Sequence, residues 1–242
     1  MSIFAIADLH LSFAPNSDKP MDVFGARWNN HPERIKENWC RNISEEDTVV
    51  VAGDISWGLK LDDAVYDLDW VDALPGHKIM LKGNHDLWWS GITRLNALYD
   101  SIRFLQNDAC CVRMDDGSEV WICGSRGWLT PDDDDFSAND EKIYKREILR
   151  LRASLEYAAH SREDAKADKP DIIGFLHYPP VAKPGMFSGF MQAFEDYGVS
   201  EVYYGHIHGE GGFRSAVQGE YYGTRYRLIS ADYLNCCPMK IR

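Results

Sequence analysis

No stretch of the chain approaches the roughly 18 consecutive apolar residues of a membrane-spanning helix, so no such span is expected. Positive charge is also in deficit. Twenty-six Lys and Arg stand against 38 Asp and Glu, a formal net charge of −12. Sequence-independent nucleic-acid binding needs an extended basic footprint, and none is expected here. A short nucleotide stays open as a substrate, because one local positive site can hold one phosphate. The six cysteines include two adjacent pairs (Cys110-Cys111, Cys236-Cys237) and no C-x-x-C. That excludes a zinc-knuckle spacing and a secreted disulfide framework, and reduced thiols in a cytoplasmic protein are the expectation. The opening "MSIFAIADLHL" lacks the basic segment and small-residue cleavage site of a secretion signal, and its apolar run breaks at Asp8. It reads as a first strand. Neither an internal repeat nor a low-complexity linker is visible. One domain over residues 1–242 is expected, long enough to bury a sizeable core.

What is present is a series of short apolar runs bounded by turn residues: "IFAIAD", "TVVVAGD", "KIMLKGN", "VWICGS", "DIIGFLH", "EVYYGH" and "YRLISAD". Their Ile, Val, Leu and aromatic content suits strands buried on both faces. Helical patterns lie between them. "HPERIKENWCRNI" carries Pro32 where a first-turn proline is tolerated, and "LDDAVYDLDWVDAL" has apolar residues at three-to-four spacing. "DEKIYKREILRLRASLEYAAHSRED" is long and amphipathic, with Ile143, Ile148, Leu151 and Leu155 on one stripe. This alternation predicts an α/β architecture with a largely parallel portion. Asp116-Gly117, between two apolar runs, reads as a hairpin and so predicts a mixed or second sheet. "PDDDDFSANDE" reads as a solvated surface loop.

The strands end alike. They deliver Asp8 and His10 ("ADLH"), Gly53 and Asp54 ("AGDIS"), Asn84, His85 and Asp86 ("KGNHD"), His177 ("FLHYPP"), and His206 and His208 ("YGHIHG"). Any one motif has an ordinary explanation as an Asx turn, a cap or a hydrogen-bonded core histidine. Five of the eight histidines falling in such segments is harder to explain that way. The remaining three, His31, His77 and His160, sit in ordinary contexts and carry no assigned role. Ligands in open α/β sheets bind outside the carboxyl ends of strands. An oxygen and nitrogen set without thiolate suits Mn, Fe, Zn, Co or Ni better than Ca or Mg. Seven candidate ligands exceed the needs of one tetrahedral ion, so two divalent transition-metal ions about 3.5–4 Å apart are the expected cofactors. Asp54, alone on its strand end, is the candidate bridge. In Asp8-x-His10 and His206-x-His208, an extended backbone would point both side chains the same way.

These blocks, in this order, resemble the calcineurin-like metallophosphoesterase superfamily, whose signature runs D-x-H, G-D, G-N-H-[DE], a later H and G-H-x-H. The match spans Asp8 to His208. The resemblance implies two mixed β-sheets packed together with helices outside, in α/β/β/α layers, and a two-metal site at the strand ends. It implies Asp8, His10 and His208 on the first metal, Asn84, His177 and His206 on the second, and Asp54 on both. His85 is implied to face the phosphoryl group and leaving oxygen, with Asp86 orienting the loop or His85. The activity implied is hydrolysis of a small phosphomonoester or phosphodiester by in-line attack of a hydroxide between the metals. A nuclease or cyclic-nucleotide phosphodiesterase, and a non-catalytic metal-binding scaffold, are the alternatives. Protein phosphatases of the superfamily carry G-D-x-x-D-R-G, but here "GDISWG" puts Trp57 and Gly58 in place of the Asp-Arg pair. Arg126, in "CGSRGW", is the candidate substitute anion clamp. Trp88, Trp89 and Trp128 are candidates for an apolar rim.

Overall fold

The computed structural model describes residues 1–15, 17, 19–161 and 171–242. In chain order, the elements are β1 (Ile3–Ile6), α1 (His31–Asn42), β2 (Thr48–Ala52), α2 (Leu61–Asp72), β3 (His77–Leu81), α3 (Ile92–Leu95) and β4 (Ile102–Phe104). There follow β5 (Ala109–Arg113), β6 (Glu119–Ser125), α4 (Ala138–His160), β7 (Asp171–Leu176), α5 (Gly189–Asp196) and β8 (Glu201–Tyr204). The chain closes with α6 (Gly209–Ser215), β9 (Gly219–Tyr221), β10 (Thr224–Leu228) and β11 (Met239–Lys240). Two short 3-10 turns, Met21–Phe24 and Ala26–Trp28, precede α1.

The strands form two sheets, ordered β11-β1-β2-β3-β4 and β5-β6-β7-β8-β10-β9. Each is parallel inside and antiparallel at an edge: β11 pairs antiparallel with β1, β5 with β6, and β9 with β10. The β5–β6 pair is the hairpin read from Asp116-Gly117, and Gly117 supplies the positive φ of 84° that its turn needs. The alternation of side chains along the strands builds the layers. Ile3, Ala5, Val50 and Ala52 of one sheet meet Ile122, Ile173, Phe175 and Tyr203 of the other between the sheets. The opposite faces, with Phe4, Ile6, Val49 and Val51, pack under Ile35 and Trp39 of α1 and Leu68 and Val71 of α2. On the second sheet Trp121, Cys123 and Val202 pack under Leu151 and Leu155 of α4 and Phe190 and Phe194 of α5. The result is the α/β/β/α arrangement implied above.

Helix α4 begins at a capping box in which Ser137 and Asp140 serve each other's backbone N–H. Its buried face is Tyr144, Glu147, Leu151, Ser154, Leu155 and Ala158, so the expected stripe is rotated. Ile143 and Ile148 are only half-buried, and a glutamate takes a core position. The last residues of that helical pattern, 162–164, lie outside the described residues. Among the described residues no helix is long and apolar enough to cross a membrane.

Candidate metal centre and active site

All the interior strands of both sheets run parallel, so the loops after β1, β2, β3, β7 and β8 gather at one rim. There the backbone departs from the extended geometry that would have aligned the D-x-H and H-x-H side chains. Asp8 (φ 61°), His10 (φ 45°), Asp54 (φ 52°) and His206 (φ 71°) are all left-handed. The loops turn over the sheet edge and pair with each other: Asp8 N–H donates to the Gly53 carbonyl and His10 N–H to that of Asp54, both at 2.9 Å. Four strained non-glycine residues in one place mark a site whose surroundings over-determine it.

Two clusters result. Asp8, His10 and His208 bring their ligand atoms within 4.8 Å of one another, and so do Asp54, His177 and His206. In the first, His10 Nε2 and His208 Nε2 face each other at 3.5 Å, with Asp8 Oδ1 3.7 Å from His208 Nε2. In the second, His177 Nε2 lies 3.3 Å from Asp54 Oδ2 and 2.7 Å from Asn84 Oδ1. Asp54 Oδ2 is also 3.8 Å from His10 Nε2, so this one oxygen is within reach of both clusters. Glycines permit the crowding: a Cβ on Gly83 would fall 2.1 Å from Asp54 Oδ1, and one on Gly205 2.5 Å from Asp8 Oδ2.

The donor set fits metal ions. Asp8 and Asp54 are 0% and 1% exposed, and neither has a Lys or Arg partner among the described ion pairs. Buried carboxylates without a counter-cation are costly. The imidazole tautomers point the same way. His177 Nδ1 lies 3.1 Å from the Ala52 carbonyl and His208 Nδ1 2.9 Å from Asp232 Oδ1, so each Nδ1 carries a proton and each Nε2 faces inward, where a metal ion would take the place of its proton. This is the outer support that metal-binding histidines usually have. Electrostatics agree. Burial holds His10 and His206 below the ordinary imidazole range, His206 at about 3. His177 is as buried as His10, but the Asp54 and Asp8 carboxylates outweigh that and push it up to about 9. Without a metal, the proton on His177 is the cation that the carboxylates demand.

Asp86 is no ligand. Fully buried, it accepts from the backbone N–H groups of Gly83 (2.7 Å), Asp54 (2.9 Å), Ile55 (2.9 Å) and Ser56 (3.2 Å), and from the Trp88 indole (3.1 Å). It clamps the β2 and β3 loops together. Burial, with the Asp54 carboxylate nearby, raises it to about 6. His85 stands beside the clusters, its backbone N–H donating to Asp54 Oδ1 at 2.8 Å. Its ring lines a cleft of about 440 Å³ with His10, Asp54, His206 and His208. Burial lowers its pKa.

The cleft's aromatic wall is not the one expected. Trp28 and Trp57 line it together with Met21 and Phe24, and Trp57 stacks on His10 at 4.9 Å and lies 4.3 Å from His85. Trp88 and Trp89 are buried against Phe104 instead. Trp128 packs on Tyr178, whose ring in turn covers His206 at 4.1 Å. Arg126 is not brought into the cleft. Its guanidinium lies over Trp128 at 4.3 Å, and Nη2 donates to Glu147 Oε1 at 3.3 Å. Asp232 and Tyr178 escaped the sequence reading, although both had a signal: Asp232 ends the run "YRLISAD" as Asp8 ends the first, and Tyr178 follows His177.

The model for the calcineurin-like phosphoesterase family matches residues 1–210, and the chain belongs to that family. It is accordingly a phosphoester hydrolase of a family that uses divalent metals, with two candidate ligand groups to hold them. Among solved structures it resembles the phosphopantetheinyl hydrolase PptH from Mycobacterium tuberculosis, at 16% identity and a TM-score of 0.53. It also resembles the protein of unknown function AQ665 from Aquifex aeolicus, at 15% identity and a TM-score of 0.52. Each match covers 99% of this chain and 95% of the other, and each shows the fold alone. No curated protein matches.

Proposed function

We propose that this chain hydrolyses a phosphomonoester or phosphodiester of a small molecule at a dinuclear transition-metal site. The observation that carries the reading is the position of Asp54 Oδ2, within 3.8 Å of His10 Nε2 and 3.3 Å of His177 Nε2. Asp8, His10 and His208 would hold one ion and Asn84, His177 and His206 the other, with Asp54 shared. Two bound ions would neutralise the phosphoryl charge and acidify a water for attack near neutral pH.

The protein's own groups do the rest. Asp86 fixes the two loops so that the Asp54 and Asn84 side chains both reach His177 Nε2. Asp232 and the Ala52 carbonyl keep the His208 and His177 rings in the orientation in which Nε2 faces inward. His85 places a ring N–H at the cleft, where it can donate to the phosphoryl or leaving oxygen. A bound phosphoester's negative charge raises the imidazole pKa again, which favours proton transfer to the departing oxygen. No Asp-Arg pair follows the β2 loop, so anion recognition falls to the metals and His85.

The test is turnover of a panel of phosphomonoesters and phosphodiesters, nucleotides, a phosphopantetheinyl ester and phosphopeptides, after chelation and with Mn²⁺ restored. Turnover should vanish and return with the metal, and phosphopeptides should be no better substrates by kcat/KM than simple monoesters. Full turnover by demonstrably metal-free protein would end the reading. A hundredfold preference for a phosphopeptide would end its small-molecule part.

A further inference from the structure

His85 and Trp57 line two cavities. One is the cleft that holds the metal-ligand side chains. The other, of about 410 Å³, is lined by His85, Trp57, Leu59 and Leu87 with Lys19 among its polar groups, and contains none of the metal-ligand residues. Its size is that of a small-molecule pocket. Leu59 and Leu87 are 69% and 63% exposed, apolar side chains left outside every core cluster. Both are placed by catalytic loops. Leu87 N–H donates to the His85 carbonyl at 2.8 Å, and Leu59 follows the Asp54 loop by five residues.

In-line displacement at phosphorus puts the attacking and leaving oxygens on opposite sides. With the attacking water held among the metal ligands as proposed above, the leaving oxygen would depart away from them, and His85, which with Trp57 lines both cavities, stands at the boundary it would cross. The cavity reached past His85 and free of ligand residues is the one that can receive the rest of the leaving group. We propose that this second cavity is the leaving-group subsite, and that it selects phosphoesters whose alcohol carries an aryl or extended alkyl body over compact polar ones. The inference rests on the hydrolase reading above. Its physical basis is separate: two solvent-facing leucines and an indole lose contact with water only when an apolar group covers them.

Two measurements test it on Leu59→Ser, Leu87→Ser and the double variant, with unchanged thermal unfolding as the check on folding. The first is the kcat/KM ratio of 2-naphthyl phosphate to methyl phosphate with Mn²⁺ present, which cancels any general loss of activity. Losing part of an aryl ring's apolar contact should lower this ratio about tenfold in the double variant. The second is calorimetric binding of 2-naphthol to the metal-free protein, whose Kd should rise by a similar factor. An unchanged ratio together with unchanged naphthol affinity overturns the subsite. If neither ester is hydrolysed by metal-loaded wild-type protein, the hydrolase reading has failed instead. Naphthol binding then decides on the cavity alone, and equal affinity in wild type and double variant rejects it.

Discussion

At the scale of single residues, the site is made by groups forced into states they would not adopt alone. Left-handed backbone at Asp8, His10, Asp54 and His206 costs on the order of 1–3 kcal/mol each. Asp86, with five donors on one carboxylate, is the side chain that holds the Asp54 loop in place against the β3 loop. The imidazoles are divided in the same way. His177, pushed up to about 9, binds a proton more tightly folded than unfolded. Its contribution to stability is therefore fully present below its ordinary pKa of about 6.5 and is lost as pH rises through 9. His206, pushed down to about 3, acts oppositely: its contribution is present above about 6.5 and is lost as pH falls toward 3. The metal-free protein should accordingly melt highest near neutral pH and at lower temperature at both pH 5 and pH 9. Saturating metal, which replaces the His177 proton, should flatten the alkaline side. Thermal unfolding across that range after chelation checks this, and a metal-free melting temperature still rising from pH 7 to 9 would contradict it.

At the scale of elements, α4 shows how a pattern can be right in kind and rotated in detail. The apolar period was visible, but the helix turns Glu147 into the core rather than Ile143. The reason lies on β6, whose end delivers Arg126. The largely enclosed guanidinium needs a carboxylate, and the fully buried Glu147 Oε1 accepts from Arg126 (3.3 Å), Arg146 (3.2 Å) and Arg150 (3.0 Å). Arg146 and Arg150 are more exposed and can turn to water, whereas Arg126 cannot. Glu147→Leu should therefore destabilise the fold by about 3 kcal/mol, the usual cost of leaving one member of a buried pair uncompensated. Adding Arg126→Met should recover most of it, as apolar replacement of both partners often does. Urea unfolding of the two single variants and the double variant measures the coupling. Additive losses would show that the pair does not act as one unit.

At the scale of the whole molecule, the candidate ligands belong to two sheets. Asp8, His10, Asp54 and Asn84 follow β1, β2 and β3, while His177, His206 and His208 follow β7 and β8. The second cluster draws on both sheets, and so does the first. Ions bound there would join the sheets at the rim, adding to the isolated backbone bridge between Ala7 after β1 and Ser230 after β10. Metal at about a hundred times Kd adds about 2.7 kcal/mol per site, and each kcal/mol moves the midpoint about 2–4 °C in a protein of this size. Chelation should lower the melting temperature by roughly 5–10 °C for each site emptied. Scanning calorimetry before and after removal is the measurement. A midpoint that does not move would mean that these clusters hold no ion in the folded protein.

What the sequence by itself determined about this protein was local. Seven apolar runs became interior strands, Asp116-Gly117 became the hairpin, and the polar residues at five strand ends became one rim, because apolar runs and turn chemistry are written within a few neighbouring residues. Strands β4, β9 and β11, of three, three and two residues, carried too little pattern to be read. Tertiary structure alone decided the pairings between distant positions. It set Asp232 behind His208, Glu147 under Arg126, and Trp28 and Trp57 rather than Trp88 and Trp89 along the cleft. Those outcomes depend on which faces of two sheets and their helices meet. A side chain's partner across 20 or 180 residues of chain is chosen by that packing and by the need to satisfy each buried charge, neither of which is encoded beside the residue itself.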